Sequence, residues 1–215
     1  MQIQCEVDIF GSMVPGLSYW VRNKLYIALT NECVSLSPIA LRGPSFIMPK
    51  DSLFQPLSWE PVPSEIMLEI DNAFNSNKIS ITSMGSDEIT FAGLGEPLLR
   101  IQTLIDSAFL IKQKRHGVPL RLKTSGLVHS RDCERVQEYP IQNFDFKFYS
   151  QFARSLKDAD IDKISISLLA DNPKDYESIM QPHNGANFSD VCTFIISCVE
   201  KGNETSFLIV HNYCN

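Results

Sequence analysis

Paired metal-binding cysteines are absent from this chain of 215 residues. Its six cysteines stand at positions 5, 33, 133, 192, 198 and 214, with no Cys-x-x-Cys spacing among them. Thiols scattered in this way, without a secretory signal, are expected to be reduced and buried. Cys192 and Cys198 lie six apart on an expected helix. At about 100° per residue they point to different faces and cannot share a metal. The four histidines (116, 129, 183, 211) have no cysteine or carboxylate at ligand spacing, so the sequence gives no support to a zinc site. Long apolar runs are also missing, and none approaches the roughly 20 residues of a spanning helix. Positive charge is in deficit: 19 Lys and Arg face 25 Asp and Glu, for a formal charge of −6. No nucleic-acid footprint follows from that balance. The short basic run Lys112–His116 reads as a helix end facing its own dipole. Met1–Asp8 has neither the basic and apolar segments of a signal peptide nor the Arg/Ser-rich character of a transit peptide. The expectation is therefore a soluble intracellular protein, cytoplasmic or in an organelle.

What is present is the composition of a single globular domain, 44% hydrophobic and 20% charged. Residues 1–23 read as an N-terminal arm or edge strand, with polar–apolar alternation over Gln2–Ile9, and 24–215 as one domain. Five prolines between Arg42 and Pro63 forbid a helix there. They suggest an irregular loop pinned by Phe46, Phe54 and Trp59. Ser64 reads as an N-cap for a helix carrying Ile66, Met67, Ile70 and Phe74 to about Asn75. Strands are expected at Ser86–Phe91, Leu120–Thr124, Ile164–Leu169 and Ser206–Val210, with helices from Leu98 to near Gly117, at Lys174–Met180 and at Phe188–Glu200. Residues 128–145 carry no clear pattern. The aromatic stripe Phe144, Phe146, Phe148, Tyr149 and Phe152 reads as core-facing, with a ligand cage as the alternative.

The segment Phe91-Ala-Gly-Leu-Gly-Glu-Pro-Leu-Leu-Arg100 follows a β-rich run and opens a helix. Glycines there let a ligand approach the backbone closely, and Glu96 is placed to receive a ligand ammonium group. Alone, the pattern is an ordinary strand–helix turn. Four further segments occur in a telling order: Lys24–Cys33, Val118–Gly126, Lys163–Ala170 and Asp175–Pro182. Together the five resemble the radical S-adenosylmethionine family, and most of all its short TatD-linked subgroup, over roughly Lys24 to His211. The resemblance implies an α/β fold: an open partial TIM-type barrel of about five to six parallel strands, helices outside. A full barrel needs about 250 residues.

By the same resemblance the cofactor's amino group meets Gly93, Gly95 and Glu96, and other polar cofactor contacts fall on Thr124, Ser125, Ser165 and Ser167. Strand alternation puts Ser165 and Ser167 on one face. The family's cluster cysteines map to Cys33, Ser37 and Ala40. A [4Fe–4S] cluster needs thiolates, and this loop offers one. Thr124-Ser125-Gly126 and Leu168-Leu169 also stand where relatives often carry asparagine.

The expected function is therefore a non-catalytic, radical-S-adenosylmethionine-like protein serving as a structural or regulatory subunit. No catalytic residue and no metal are expected, and S-adenosylmethionine binding should be weak or absent. Two alternatives stand beside it. One is a binding module for S-adenosylmethionine or another nucleotide. The other is an active radical enzyme with an atypical cluster, held by Cys33 with distant cysteines such as Cys133 and Cys214 or by a partner. A protein partner is expected at loop 42–63 or at the strand edge 206–210.

Overall fold

The computed structural model describes residues 16–21, 24–36, 56–76, 88–128, 146–183 and 185–208. Six strands form one sheet: β1 (Ser18–Val21), β2 (Lys24–Ile27), β3 (Ile89–Phe91), β4 (Leu120–Thr124), β5 (Lys163–Ser167) and β6 (Glu204–Leu208). Their order in the sheet is their order in the chain. β1 pairs antiparallel with β2, placing Tyr19 opposite Tyr26, and every later pair is parallel. The short strand β1 lies inside residues 1–23, the stretch read from sequence as an arm or edge strand, and it stands at an edge of the sheet. Among the described residues the two free edges are β1 and β6, and the strands do not close on one another.

Parallel neighbours need crossovers, and here helices supply them: α1 (Pro63–Ser76), α2 (Ile101–Lys114), α3 (Phe146–Asp158), and the pair α4 (Pro173–Met180) and α5 (Phe188–Glu200). Successive right-handed crossovers in one direction put all helices on one face. Side-chain contacts agree. Ser18 donates to Glu69 of α1 at 2.5 Å, and Trp20 meets Phe74 edge-on at 5.5 Å. The strand residues that share this face, including Leu25, Ile27, Ile89, Phe91, Leu122 and Ile166, are buried. This is the apolar core.

The helix starts follow local chemistry. α1 begins at Pro63, whose missing N–H costs nothing there. The Glu65 side chain accepts from the Val62 N–H at 3.0 Å, so Val62, rather than the expected Ser64, stands at the cap. α4 is capped by Asn172, and α5 by a capping box between Asn187 and Asp190. From Phe146 on, the aromatic stripe lies on helix α3, while Phe144 is outside the described residues. Phe148, Tyr149 and Phe152 are buried, and Tyr149 lies 6.3 Å from Phe194 of α5, which is the core-facing arrangement.

Alternation gives the sheet's other face a polar lining, with Lys24, Tyr26, Glu88, Thr90, Arg121, Lys123, Ser165 and Ser206 in register. Glu88 is its buried centre. It accepts from Lys24 at 2.8 Å and from Arg121 Nε and Nη2 at 2.9 and 3.2 Å. Burial alone would push its carboxyl up, but the hydrogen bonds and charges of Arg121 and Lys24 outweigh it and hold it at about 2. A depressed carboxyl stabilises the fold above its unfolded value of about 4.5, and that contribution fades as pH falls from there towards about 2. Glu88→Gln should flatten the acid limb of a stability-versus-pH curve in that window. An unchanged limb would show that Glu88 does not govern it.

Candidate functional site

The loops leaving the carboxyl ends of β2 and β3 are built against each other. Gly95 N–H donates to Thr30 O at 3.2 Å, Glu96 N–H to Glu32 O at 2.8 Å, and the Cys33 thiol to Leu94 O at 3.4 Å. The two glycines make the approach possible. A Cβ on Gly93 would lie 2.7 Å from the Ala28 Cβ, and one on Gly95 would lie 2.7 Å from Asn31 C and Glu32 O. The close approach to these glycines, expected for a ligand, is made by the chain's own loop.

Glu96 ties this pair to the loop after β4. Its Oε1 accepts from Thr124 Oγ1 at 2.6 Å and from the Leu98 N–H at 3.0 Å. Its Oε2 accepts from the Ser125 hydroxyl at 2.6 Å and the Ser125 N–H at 2.8 Å. A carboxylate has about four lone-pair sites, and four donors of this chain occupy them. Burial pushes the Glu96 carboxyl up, opposed by the Ser125, Thr124 and Leu98 donors. The Leu98 bond also caps the 3-10 turn Pro97–Arg100. A ligand ammonium group would have to displace one of these donors.

Of the residues assigned to a cofactor from the sequence, the structure brings Glu96, Thr124 and Ser125 into direct contact, with Gly93 and Gly95 in the same loop. Ser165 and Ser167 stand half-buried on the polar face of β5. Ser165 accepts from Arg121 Nη1 at 2.9 Å and shares a 3.0 Å hydrogen bond with Ser206. Among the described residues no hydrogen bond links Ser165 or Ser167 to Glu96. Ser37, Ala40, Phe46, Phe54, Cys5, Cys133 and Cys214 lie outside the described residues, as do Gln2–Ile9, 129–145 and the end of the strand expected at Ser206–Val210.

Positions 33, 37 and 40 do not by themselves supply the three thiolates of a [4Fe–4S] cluster. Alanine at 40 offers no ligand atom and serine at 37 no accessible alkoxide, leaving Cys33 as the one thiol of the loop. Burial, with the charges of Glu96 and Glu32, pushes that thiol up to about 12. It is protonated at neutral pH and engaged with Leu94 O.

Around this core the loop after β2 is fastened on both sides. Thr30 Oγ1 donates to Glu60 at 2.6 Å, and Arg100 binds the other Glu60 oxygen at 2.8 Å. Asn31 exchanges two 2.9 Å hydrogen bonds with the Leu57 backbone. The His183 N–H donates to Val34 O and the Leu36 N–H to Met180 O, at 3.0 and 2.7 Å. Trp59 is 44% exposed and Val62 48%, and the Trp59 indole N–H reaches Glu65 at 3.3 Å. Tyr176 of α4 is fully buried, and among the described residues its hydroxyl has no hydrogen-bond partner. Its ionisation is pushed up by burial and then by the charges of Glu96, Cys192 and Asp190.

Sequence reading missed Arg121, Lys123, Tyr26 and Tyr176. The first three had a visible signal, the period-2 polar positions 24/26 and 121/123 that match 165/167. Tyr176 had none. No protein-family model matches the chain, and the search of curated proteins returned no significant match.

Proposed function

We propose that this protein is a non-catalytic relative of the radical S-adenosylmethionine enzymes, an open partial barrel retained as a structural or regulatory subunit. The observation that carries the reading is Cys33. It is the one thiol of its loop, and it is half-buried, protonated and hydrogen-bonded to the Gly-Leu-Gly turn. In that state it closes the space between two loops. The saturated carboxylate of Glu96 supports the same reading, since the residue placed for a cofactor's ammonium group holds three loops together instead. Sequential parallel strands with helical crossovers are what a partial barrel requires. For partner binding, the support is the exposed pair Trp59 and Val62 beside a firmly fastened loop, together with the free edge of β6. The test is the iron and acid-labile sulfide content of protein purified without oxygen.

One observation favours a second reading, a cluster-free module for S-adenosylmethionine or another nucleotide. The buried Tyr176 hydroxyl, close enough to Glu96 to feel its charge, is unpartnered among the described residues. Buried hydroxyls are ordinarily satisfied, by water or a ligand where not by protein. Titration with S-adenosylmethionine separates the readings. A dissociation constant in the micromolar range, lost in Tyr176→Phe, would favour the module.

A further inference from the structure

The polar face of the sheet holds more positive charge than it uses. Among the described residues, Lys24, Arg121, Lys123 and Lys163 stand there in register with two carboxylates, Glu88 and Glu204. Among the described residues that is an excess of two positive charges on one face of a chain whose formal charge is −6. Local charge so opposed to the whole concentrates anions.

The partners show where the excess sits. Lys24 and Arg121 share Glu88, and Lys163 lies 3.2 Å from Glu204. Lys123 has no carboxylate within ion-pair distance among the described residues. Its ammonium donates to the Tyr26 hydroxyl at 2.9 Å and stands 4.9 Å from the centre of the same ring. Tyr26 is stacked on Tyr19 at 5.2 Å, which fixes the ring that positions the lysine. An ammonium group carries three donors, so two remain. Next to it across the strands are the hydroxyls of Ser165 and Ser206. Lys123 and Ser206 are exposed and Ser165 half-buried.

We propose that this face binds an oxyanion, the phosphate or carboxylate of a small anionic ligand, with Lys123 as the charge that anchors it and the Ser165–Ser206 pair as hydroxyl partners. The site uses none of the Glu96 group, so it stands or falls separately from the cluster reading. Lysine meets such groups as a point charge, and the rigid Tyr19–Tyr26 stack limits the side-chain freedom lost on binding.

Calorimetric titration at low ionic strength tests it, with pyrophosphate in one arm and malonate in the other; the tighter arm identifies phosphate or carboxylate as the source. Wild type should bind one ion per chain. Lys123→Gln should weaken that affinity by about tenfold or more, while Lys174→Gln, on the exposed surface of α4, leaves it unchanged. Ser206→Asp adds a negative charge at the exposed sheet edge and should weaken binding comparably, so the result does not hang on how one variant folds. Binding should also raise the melting temperature of wild type and not of Lys123→Gln. Wild type that binds neither ion, or Lys123→Gln and Ser206→Asp that both bind as wild type does, would overturn the proposal.

Discussion

Glu96→Ala should lower the melting temperature by roughly 10 °C or more. The carboxylate is 4% exposed and accepts four hydrogen bonds, two from backbone N–H groups and two from hydroxyls. Removing it leaves the donors of Thr124, Ser125 and Leu98 facing a void. Stranding buried donors that served a charge costs about 3–5 kcal/mol. In a chain of this size each kcal/mol moves the midpoint by about 2–4 °C. Glu96→Gln should not rescue the fold fully. Each oxygen receives one backbone N–H, from Leu98 or from Ser125, so either orientation of the amide sets its NH2 against a backbone donor that cannot turn away. Differential scanning calorimetry of the two variants reads this directly. Midpoints within a degree or two of wild type would show that the carboxylate does not hold the loops and is available to a ligand.

Gly95→Ala should cost about 2–4 kcal/mol, from overpacking that no side chain can relieve. The new Cβ would meet Thr30 O, Asn31 C and Glu32 O, all backbone atoms of the facing loop. Relief requires the loops to part, which breaks the Gly95–Thr30 and Glu96–Glu32 hydrogen bonds and uncovers Cys33. Two readouts should therefore move together: the unfolding midpoint falls, and alkylation of Cys33, followed by peptide mapping, accelerates under native conditions. A stable variant with Cys33 still protected would mean that the loops tolerate separation elsewhere, and that Gly95 is not there to allow their contact.

The fold was legible where periodicity and turn chemistry agreed. Leu120–Thr124 and Phe188–Glu200 match the observed elements residue for residue, because periodicity is a local signal; the Asn187 cap that starts the helix is seen only in the structure. Residues 1–23 were read as an arm or edge strand from the alternation at Gln2–Ile9, but the place of β1 was not, since four residues, Ser-Tyr-Trp-Val, show no alternation long enough to register, and only pairing with β2 reveals them. Ser64 was a misleading cap: a serine one residue inside the helix looks correct until Glu65 is seen reaching back to Val62. For the site, the sequence marked Glu96, Thr124 and Ser125 but assigned them to a ligand. Their mutual satisfaction depends on the separation of β3 and β4, which no spacing in the sequence encodes. Gly93 and Gly95 were read as letting a ligand approach the backbone, and the body packed against them is the 28–32 segment of the chain itself.

The proposal rests on Cys33 being a half-buried, protonated thiol that binds no cluster. The most direct measurement is iron and acid-labile sulfide per chain after anaerobic purification and reconstitution, with the absorbance spectrum recorded alongside. The expected result is well under one iron per chain and no band at about 400 nm. About four irons and four sulfides per chain, with that band present and abolished by Cys33→Ala, would contradict it.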